Sequence, residues 1–429
     1  MAIAEQIPRA HQERAARAAH LKQRFADTRA LSTRLAEPLT DEDQTPQSME
    51  DASPTKWHLA HTTWFFEELV LKPHASGYRE HDPRFAYCFN SYYETLGERH
   101  PRPRRGMLTR PTCAEVRAFR AHIDEAMMRM FEVDELSDEA LDLVELGINH
   151  EQQHQELLIT DILSLFAVQP LRPAYRAETD TAQGETPPLE WLSFDGGIFQ
   201  VGHTGEEFAY DNEGPPHEQL IRPFKLAHRP VTNGEWLEFM ADGGYETATL
   251  WLSDGWATVN ADGWRAPCYW EQRDGVWHQM GLGGLVPVDP ARPVCHISYY
   301  EAQAFALWAG KRLPSEFEWE IASRGLPEEG NTIGAGLLRP APARAPDGTL
   351  QQMFGDVWEW TSSAYSAYPG FHTAEGAVGE YNGKFMCGQY VLRGGSLATP
   401  DGHVRRTYRN FFYPHQRWQF MGLRLADDA

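Results

Sequence analysis

The chain reads as an α+β protein, with an N-terminal four-helix bundle joined to a C-terminal domain of short strands and long loops. Three observations predict this. Apolar residues recur at helical spacing in four segments of the first ~170 residues. Composition then changes at Gln169, where QPLRPAYRAETDTAQGETPP is Pro-rich and polar. Beyond Leu189 the chain is dense in Gly, Trp and short apolar runs. The predicted organisation is a helical bundle over 1–170, a linker over 171–188 and a second domain over 189–429.

The first predicted helix covers Pro8 to Leu35. The second follows SPTK, with Ser53 as a cap candidate and Pro54 in its first turn, and runs through WHLAHTTWFFEELVL. Residues Lys72 to Arg110 read as a long loop rich in Pro, Arg and Tyr. A third helix begins at RPTCAEV with Thr112 as its cap, and SDEALDLVELGINHEQQHQELLITDILSLF forms the fourth. Four helices with a long crossover connection suggest a bundle. In the second domain GGIFQVG, LAHRPVTNGEW, RPVCHISYYEAQAFALWAGKRLPSEFEWEIAS and QYVLRGGSL are the landmarks. Only two helices are predicted there, one after Thr232 and one from Tyr300 to Ala309. Nothing repeats at a fixed period.

Bulk properties exclude several classes. The net charge of −22 repels phosphate backbones and anionic lipid, so neither nucleic acid nor membrane is an expected partner. No apolar run approaches the ~20 residues that span a bilayer. The N-terminus is polar and periodic, without the apolar core of a signal peptide. The five cysteines are scattered and lack C-x-x-C spacing, which points to a reducing cytoplasm. The sequence leaves open whether the chain forms a homo-oligomer.

The motif with chemistry is HEQQH, His150 to His154, within the fourth helix. Two histidines four apart share one helix face, so one metal ion can take both. Leu143, Leu146, Gly147, Gln153, Leu157 and Asp161 project near them, as expected of a site facing a bundle core. HEQQH also matches the zinc-protease pattern H-E-x-x-H. The metzincin continuation is absent, because Leu157 and Thr160 stand where it needs Gly and His. Helix two offers His58 and His61 as a third ligand, and spacing alone does not choose between them.

The second half resembles the formylglycine-generating-enzyme (sulfatase-modifying factor) family, through GGIFQVG, DNEGPPHEQ, PVTNGEW, KRLPSEFEWE, FGDVWEWTSS, LRGGS and GLRLA in that order. This implies an elaborated C-type-lectin-like domain. The active-site cysteines of those enzymes are missing from Gly394 to Arg424, so their oxidase chemistry is not expected. The first half resembles the DinB-like bundles, which join a histidine of the second helix to an H-x-x-x-H pair on the fourth. That pattern falls on His61, giving His61, His150 and His154 as the implied metal ligands. The combination resembles the ergothioneine-biosynthesis sulfoxide synthases, and within them the branch that uses free cysteine. It implies iron(II), O2, cysteine and Nα-trimethylhistidine (hercynine) as cofactor and small-molecule substrates, at a site between the two domains. The product would be a carbon–sulfur-bonded sulfoxide.

The same resemblance implies roles residue by residue. Gln153 bonds the substrate imidazole. Tyr92 and Tyr93 form the tyrosine pair from which a phenol donates a proton or hydrogen bond. Both implied substrates are amino acids, and a guanidinium grips a carboxylate bidentately, so Arg102, by its place after the tyrosine pair, and Arg105 are the candidates from a loop that also holds Arg99 and Arg104. Asn410 meets the trimethylammonium group, with Phe411 and Phe412 adding cation–π attraction. In the γ-glutamylcysteine branch the position of Phe412 is acidic, so the thiol expected here is free cysteine. Asp356 and Glu359 carry oxygens that suit calcium, but no metal is assigned to them. The alternatives are γ-glutamylcysteine as the thiol, an ovothiol-type synthase acting on histidine, or a non-catalytic metal-binding module.

Overall fold

The computed structural model describes residues 2–133, 136–177, 184–205, 207–374 and 377–429, with side chains beginning at Gln12 and omitting those of residues 133 and 377. The chain divides into two compact units, Met1–Val168 and Gln169–Ala429.

The first unit is helical. Its long elements are α1 (Ala2–Ala36), α2 (Thr55–Phe66), α5 (Cys113–Val133) and α6 (Asp138–Val168). A π-helical turn, Glu67–Leu71, and α3 (Lys72–His74) extend α2 without a break, and α4 (Arg84–Phe89) lies within the expected loop. α6 packs on α1 and α2, and α5 packs on the same two. Thr112 caps α5 as expected: its hydroxyl accepts the Glu115 N–H at 3.2 Å, and Glu115 returns the bond to the Thr112 N–H at 2.7 Å. Ser53 does not cap α2. It stands one residue too early, and its N–H donates to Asp161 Oδ2 of α6 at 2.7 Å. The buried face of α6 includes Leu141, Val144, Gly147, Ile148, Leu158 and Ile162, while Leu143, Leu146 and Leu157 are half-buried. The expected apolar stripe is therefore rotated from the observed one.

The second unit mixes short strands and helices. Its strands are β1 (Trp191–Phe194), β2 (Gly197–Val201), β3 (His217–Ile221), β4 (Phe224–Ala227), β5 (Trp270–Arg273), β6 (Val276–Gly281), β7 (Gly284–Pro287), β8 (Trp358–Ala364), β9 (Tyr390–Arg393), β10 (Asn410–Phe412), β11 (Met421–Leu423) and β12 (Ala426–Asp428). They form sheets ordered β1-β4-β12, β10-β9-β8-β11, β2-β3 and β5-β6-β7. β8 pairs antiparallel to β9 and parallel to β11. The α+β class expected from sequence is observed.

The helices of this unit are α7 (Asn233–Ala241), α8 (Ser253–Asp262), α9 (Tyr299–Trp308) and α10 (Glu316–Ala322). Two of these were not expected. α8 contains Gly, Thr, Val and Asn, which are weak helix formers, and ends at Gly263 in the left-handed region. α10 is only 7 residues long, but a Ser315–Glu318 capping box marks its start. In the predicted linker, residues 178–183 lie outside the described residues. The rest of that stretch bonds to the second unit: Arg176 N–H reaches Leu282 O at 3.1 Å and Gly184 N–H reaches Asp289 Oδ1 at 3.1 Å.

Buried ion pairs hold the irregular parts of this unit. Arg424 meets Glu359 at 2.7 Å, and Trp319 Nε1 donates to the same carboxylate at 2.9 Å. Glu316 receives both Arg393 at 2.9 Å and Arg409 at 2.8 Å. Glu359 and Asp356 therefore have other work than calcium. Asp356 accepts from Asn331 Nδ2 at 2.7 Å, Ala341 N–H at 2.7 Å and Gln352 Nε2 at 3.0 Å, all N–H donors rather than the shared oxygens a cation needs.

One glycine sets how closely α6 approaches α2. A Cβ on Gly147 would lie 2.5 Å from Cε1 of Phe66, which is fully buried, and 3.1 Å from Phe65. Gly147→Ala gains about 1 kcal/mol of helix propensity. It also forces overpacking against a rigid ring, which typically costs about 1–3 kcal/mol. We expect a net fall in the urea unfolding midpoint; a rise would mean that Phe66 yields freely.

Candidate metal centre

His150 and His154 stand one turn apart on α6, with ring centroids separated by 4.6 Å. α2 brings His61 between them: its Nε2 lies 3.1 Å from His150 Nε2, and its ring centroid 4.6 Å from that of His154. One nitrogen from each of the three fits within 4.8 Å. His61 and His150 are buried and His154 half-buried. Two ring nitrogens 3.1 Å apart share either a proton or a metal ion.

Hydrogen bonds outside the triad orient the His61 and His154 rings. His61 Nδ1 lies 2.6 Å from the Phe89 carbonyl, which only accepts, so Nδ1 carries the hydrogen and Nε2 presents its lone pair. The His61 ring is stacked between Trp57, at 4.6 Å, and Trp64, at 5.6 Å. Trp57 Nε1 donates to the Cys88 carbonyl at 3.1 Å, so the segment leading to the tyrosine pair is tied to α2 twice. His58 takes no place in the triad. Its Nδ1 lies 2.9 Å from His154 Nδ1, and its Nε2 lies 3.0 Å from Asp161 Oδ2. These donors fit a metal cation: three imidazoles converge, and at His61 the outer nitrogen is bonded away from the centre.

Burial lowers the pKa of all three rings. It pushes His150 down to about 3, and with the neighbouring His150 charge it takes His61 well below the ordinary value. His154 is likewise held well below, by burial and then by His61 and His150. Neutral imidazole is the form that binds metal.

Glu151, the acid of HEQQH, is turned away from this centre. Arg29 reaches one carboxylate oxygen at 2.8 Å, while Arg120 at 2.8 Å and Ser32 at 2.6 Å reach the other. Burial would raise this carboxyl, but the two guanidiniums outweigh it and hold the group at about 2. Such a carboxylate cannot act as the general base of a zinc protease.

Tyr93 is fully buried, stacked on Tyr92 at 4.6 Å and packed on Trp64 at 5.8 Å. Asn90 fixes this turn, accepting the Tyr93 N–H at 3.1 Å and donating to its carbonyl at 2.9 Å. Gln153 is half-buried, next to His154 in sequence. Arg105 is buried with its guanidinium 3.3 Å above the Trp57 ring, the face opposite being stacked on His61. It donates to Ser53 Oγ at 2.9 Å and Ser91 Oγ at 3.0 Å. Among the described residues no carboxylate pairs with it, and burial pulls its pKa well down. Arg102 is exposed and donates to the Asp51 carbonyl. Arg99 pairs with Glu94, and Arg104 is exposed. In the second unit Asn410, Phe411 and Phe412 form β10 and are half-buried. Phe411 stacks on Tyr365 at 4.0 Å, and Phe412 packs edge-on against Trp418 at 5.8 Å.

Two family models match the chain: the DinB superfamily over 24–158, and the sulfatase-modifying factor enzyme 1-like domain over 177–345 and 343–429. The hercynine oxygenase of Mycolicibacterium thermoresistibile is 34% identical, with 96% of this chain and 95% of that protein aligned. The hercynine oxygenase of Mycobacterium tuberculosis is 36% identical over 66% of this chain and 70% of its own length. The formylglycine-generating enzyme of Streptomyces coelicolor is 30% identical over 60% of this chain and 95% of its own. The chain belongs to the hercynine oxygenase family.

In this member of the hercynine oxygenase family, the aromatic surroundings of the triad were not among the residues expected from sequence. Trp57, His61 and Trp64 follow helical spacing, and W-H-L-A-H-T-T-W carries that signal. The His58–Asp161 contact joins residues 103 apart and leaves no local trace.

The buried neutral rings set a pH dependence of stability. An unfolded imidazole takes up a proton near pH 6.5. The folded rings resist protonation until far lower pH, so between these limits the unfolded chain binds more protons and stability falls as pH falls. We expect the unfolding free energy of the chelator-treated protein, read from urea titrations, to fall as pH drops from about 6.5 to 5, with His150 alone contributing roughly 1.4 kcal/mol per pH unit. His150→Phe should flatten the slope, and an unchanged slope in that variant would contradict the burial argument.

Proposed function

We propose that this chain is a non-haem iron(II)- and O2-dependent sulfoxide synthase that joins cysteine to the imidazole C2 of hercynine. The observation that carries the reading is the convergence of three imidazole nitrogens within 4.8 Å. Membership of the hercynine oxygenase family supports the substrate class. The stoichiometry balances: thiol, imidazole C–H and O2 give the carbon–sulfur bond and the S–O bond, and the second oxygen leaves as water with the two displaced hydrogens.

In this reading His61, His150 and His154 hold the metal. Iron(II) would supply one-electron chemistry toward O2 and favour thiolate over thiol. An all-imidazole ligand set suits it because it leaves the cation its full charge and open positions. The chain's own groups position the substrates. Arg105 offers a buried guanidinium stacked on Trp57, suited to a substrate carboxylate. We assign Arg102 the same role from its place in the loop, although it is exposed. Gln153 bonds the hercynine imidazole, and Asn410 faces its trimethylammonium group with Phe411 and Phe412 beside it. Tyr93 or Tyr92 delivers a proton or hydrogen bond to the reacting atoms. Tyr93 is the better placed of the two for water-free transfer, being fully buried against Trp64.

Free cysteine is the favoured thiol, because Phe412 packs against Trp418 where the dipeptide branch carries an acid. A reducing cytoplasm fits the five cysteines, all free. No helix among the described residues is long and apolar enough to cross a membrane.

Two experiments test this. O2 uptake and product mass should be measured for the iron-loaded protein with hercynine and either cysteine or γ-glutamylcysteine. We expect the sulfoxide with cysteine to dominate. A strong preference for the dipeptide would overturn the argument from Phe412, and no uptake with any thiol would leave a binding module. Separately, His61→Ala should lose iron on desalting while keeping its helical circular dichroism. Retention of iron by that variant would remove His61 from the ligand set.

A further inference from the structure

We propose that His58 and Asp161 are positioning residues that lock His154 in the tautomer whose Nε2 lone pair faces the metal. The inference rests on the metal reading above and extends it outward by two residues. Asp161 Oδ2 accepts the Ser53 N–H at 2.7 Å, so this oxygen acts as an acceptor. His58 Nε2, 3.0 Å from the same oxygen, therefore carries a hydrogen. In the neutral ring that leaves His58 Nδ1 as a lone pair, and it lies 2.9 Å from His154 Nδ1. His154 must donate there, so its own hydrogen sits on Nδ1 and its Nε2 is free.

The alternative proton arrangement has the opposite consequence. If His58 donated from Nδ1, His154 would accept at that nitrogen and carry its hydrogen on Nε2, leaving that nitrogen no lone pair for a metal. The carboxylate thus decides, through one intervening ring, which nitrogen of His154 can bind metal. His58 is 3% exposed and Asp161 is 6% exposed, so water does not substitute for either partner. Ser53 extends the chain: its hydroxyl accepts from Arg105 at 2.9 Å, linking the relay to the guanidinium assigned to substrate.

Long-range ¹H–¹⁵N correlation on the metal-free protein reads the tautomer directly. His154 should show a protonated Nδ1 and a lone-pair Nε2; the reverse pattern overturns the proposal. Cobalt(II) titration provides the second readout. His58→Phe removes the acceptor and should weaken cobalt binding by about 10–100-fold. His58→Gln restores a carbonyl acceptor and should recover most of that loss, which a purely packing role would not do. Equal affinity in wild type and His58→Phe, or no recovery in His58→Gln, would refute the positioning role. Failure of the wild type itself to bind cobalt would instead refute the metal reading.

Discussion

The rotation of α6 about its own axis is the constraint on which the histidine triad depends, and Glu151 fixes it. Adjacent helix residues point about 100° apart. With Glu151 clamped by Arg29 of α1 and Arg120 of α5, His150 and His154 must face α2. Removing one partner of a buried charged cluster typically costs about 3–5 kcal/mol. Arg29 also bonds Asp124 at 2.6 Å and Thr63 at 3.0 Å, so the cluster joins all four long helices. The acid that would be catalytic in a zinc protease is here a structural anchor.

From that rotation the rest of the centre follows. Gly147, one turn before His150, lets α2 come close enough for His61 to meet it. His61 then lies in a stack of Arg105, Trp57, His61 and Trp64. Its outer nitrogen binds the Phe89 carbonyl at the start of the segment carrying the tyrosines. The hydrogen bonds around His61 and His154 leave those two rings few other orientations. Preorganised ligands of this kind take up a metal without paying to reorder side chains.

The second unit solves a different problem. Its sheets are small and its loops long, so apolar burial alone fixes little of the backbone. Four fully buried tryptophans, Trp236, Trp319, Trp358 and Trp360, are the largest apolar side chains in its core. The Glu359–Arg424 and Glu316–Arg393–Arg409 clusters tie distant loops to it. Arg409 directly precedes Asn410, so the strand bearing the substrate-side candidates is anchored immediately before its first residue.

The amino-acid sequence by itself specified the chain's two kinds of architecture, the paired histidines of HEQQH and the Thr112 cap, because each rests on short-range periodicity or local hydrogen bonding. Spacing alone left His58 and His61 open, and only the family pattern pointed to His61; the apolar stripe was misplaced, since Leu143, Leu146 and Leu157 look equivalent to Val144 and Ile148 until α1 and α2 select a face. It also passed over α8 and α10, which are short or composed of weak helix formers and are held by their surroundings. What only the tertiary structure decided are the contacts between remote residues: Glu151 with Arg29, Asp161 with His58, and Arg105 with Trp57. These partners lie 122, 103 and 48 positions apart, and no local pattern encodes which buried charge finds which partner. Sequence periodicity carries the elements; the pairing of buried polar groups is settled when those elements pack and each group must find its complement.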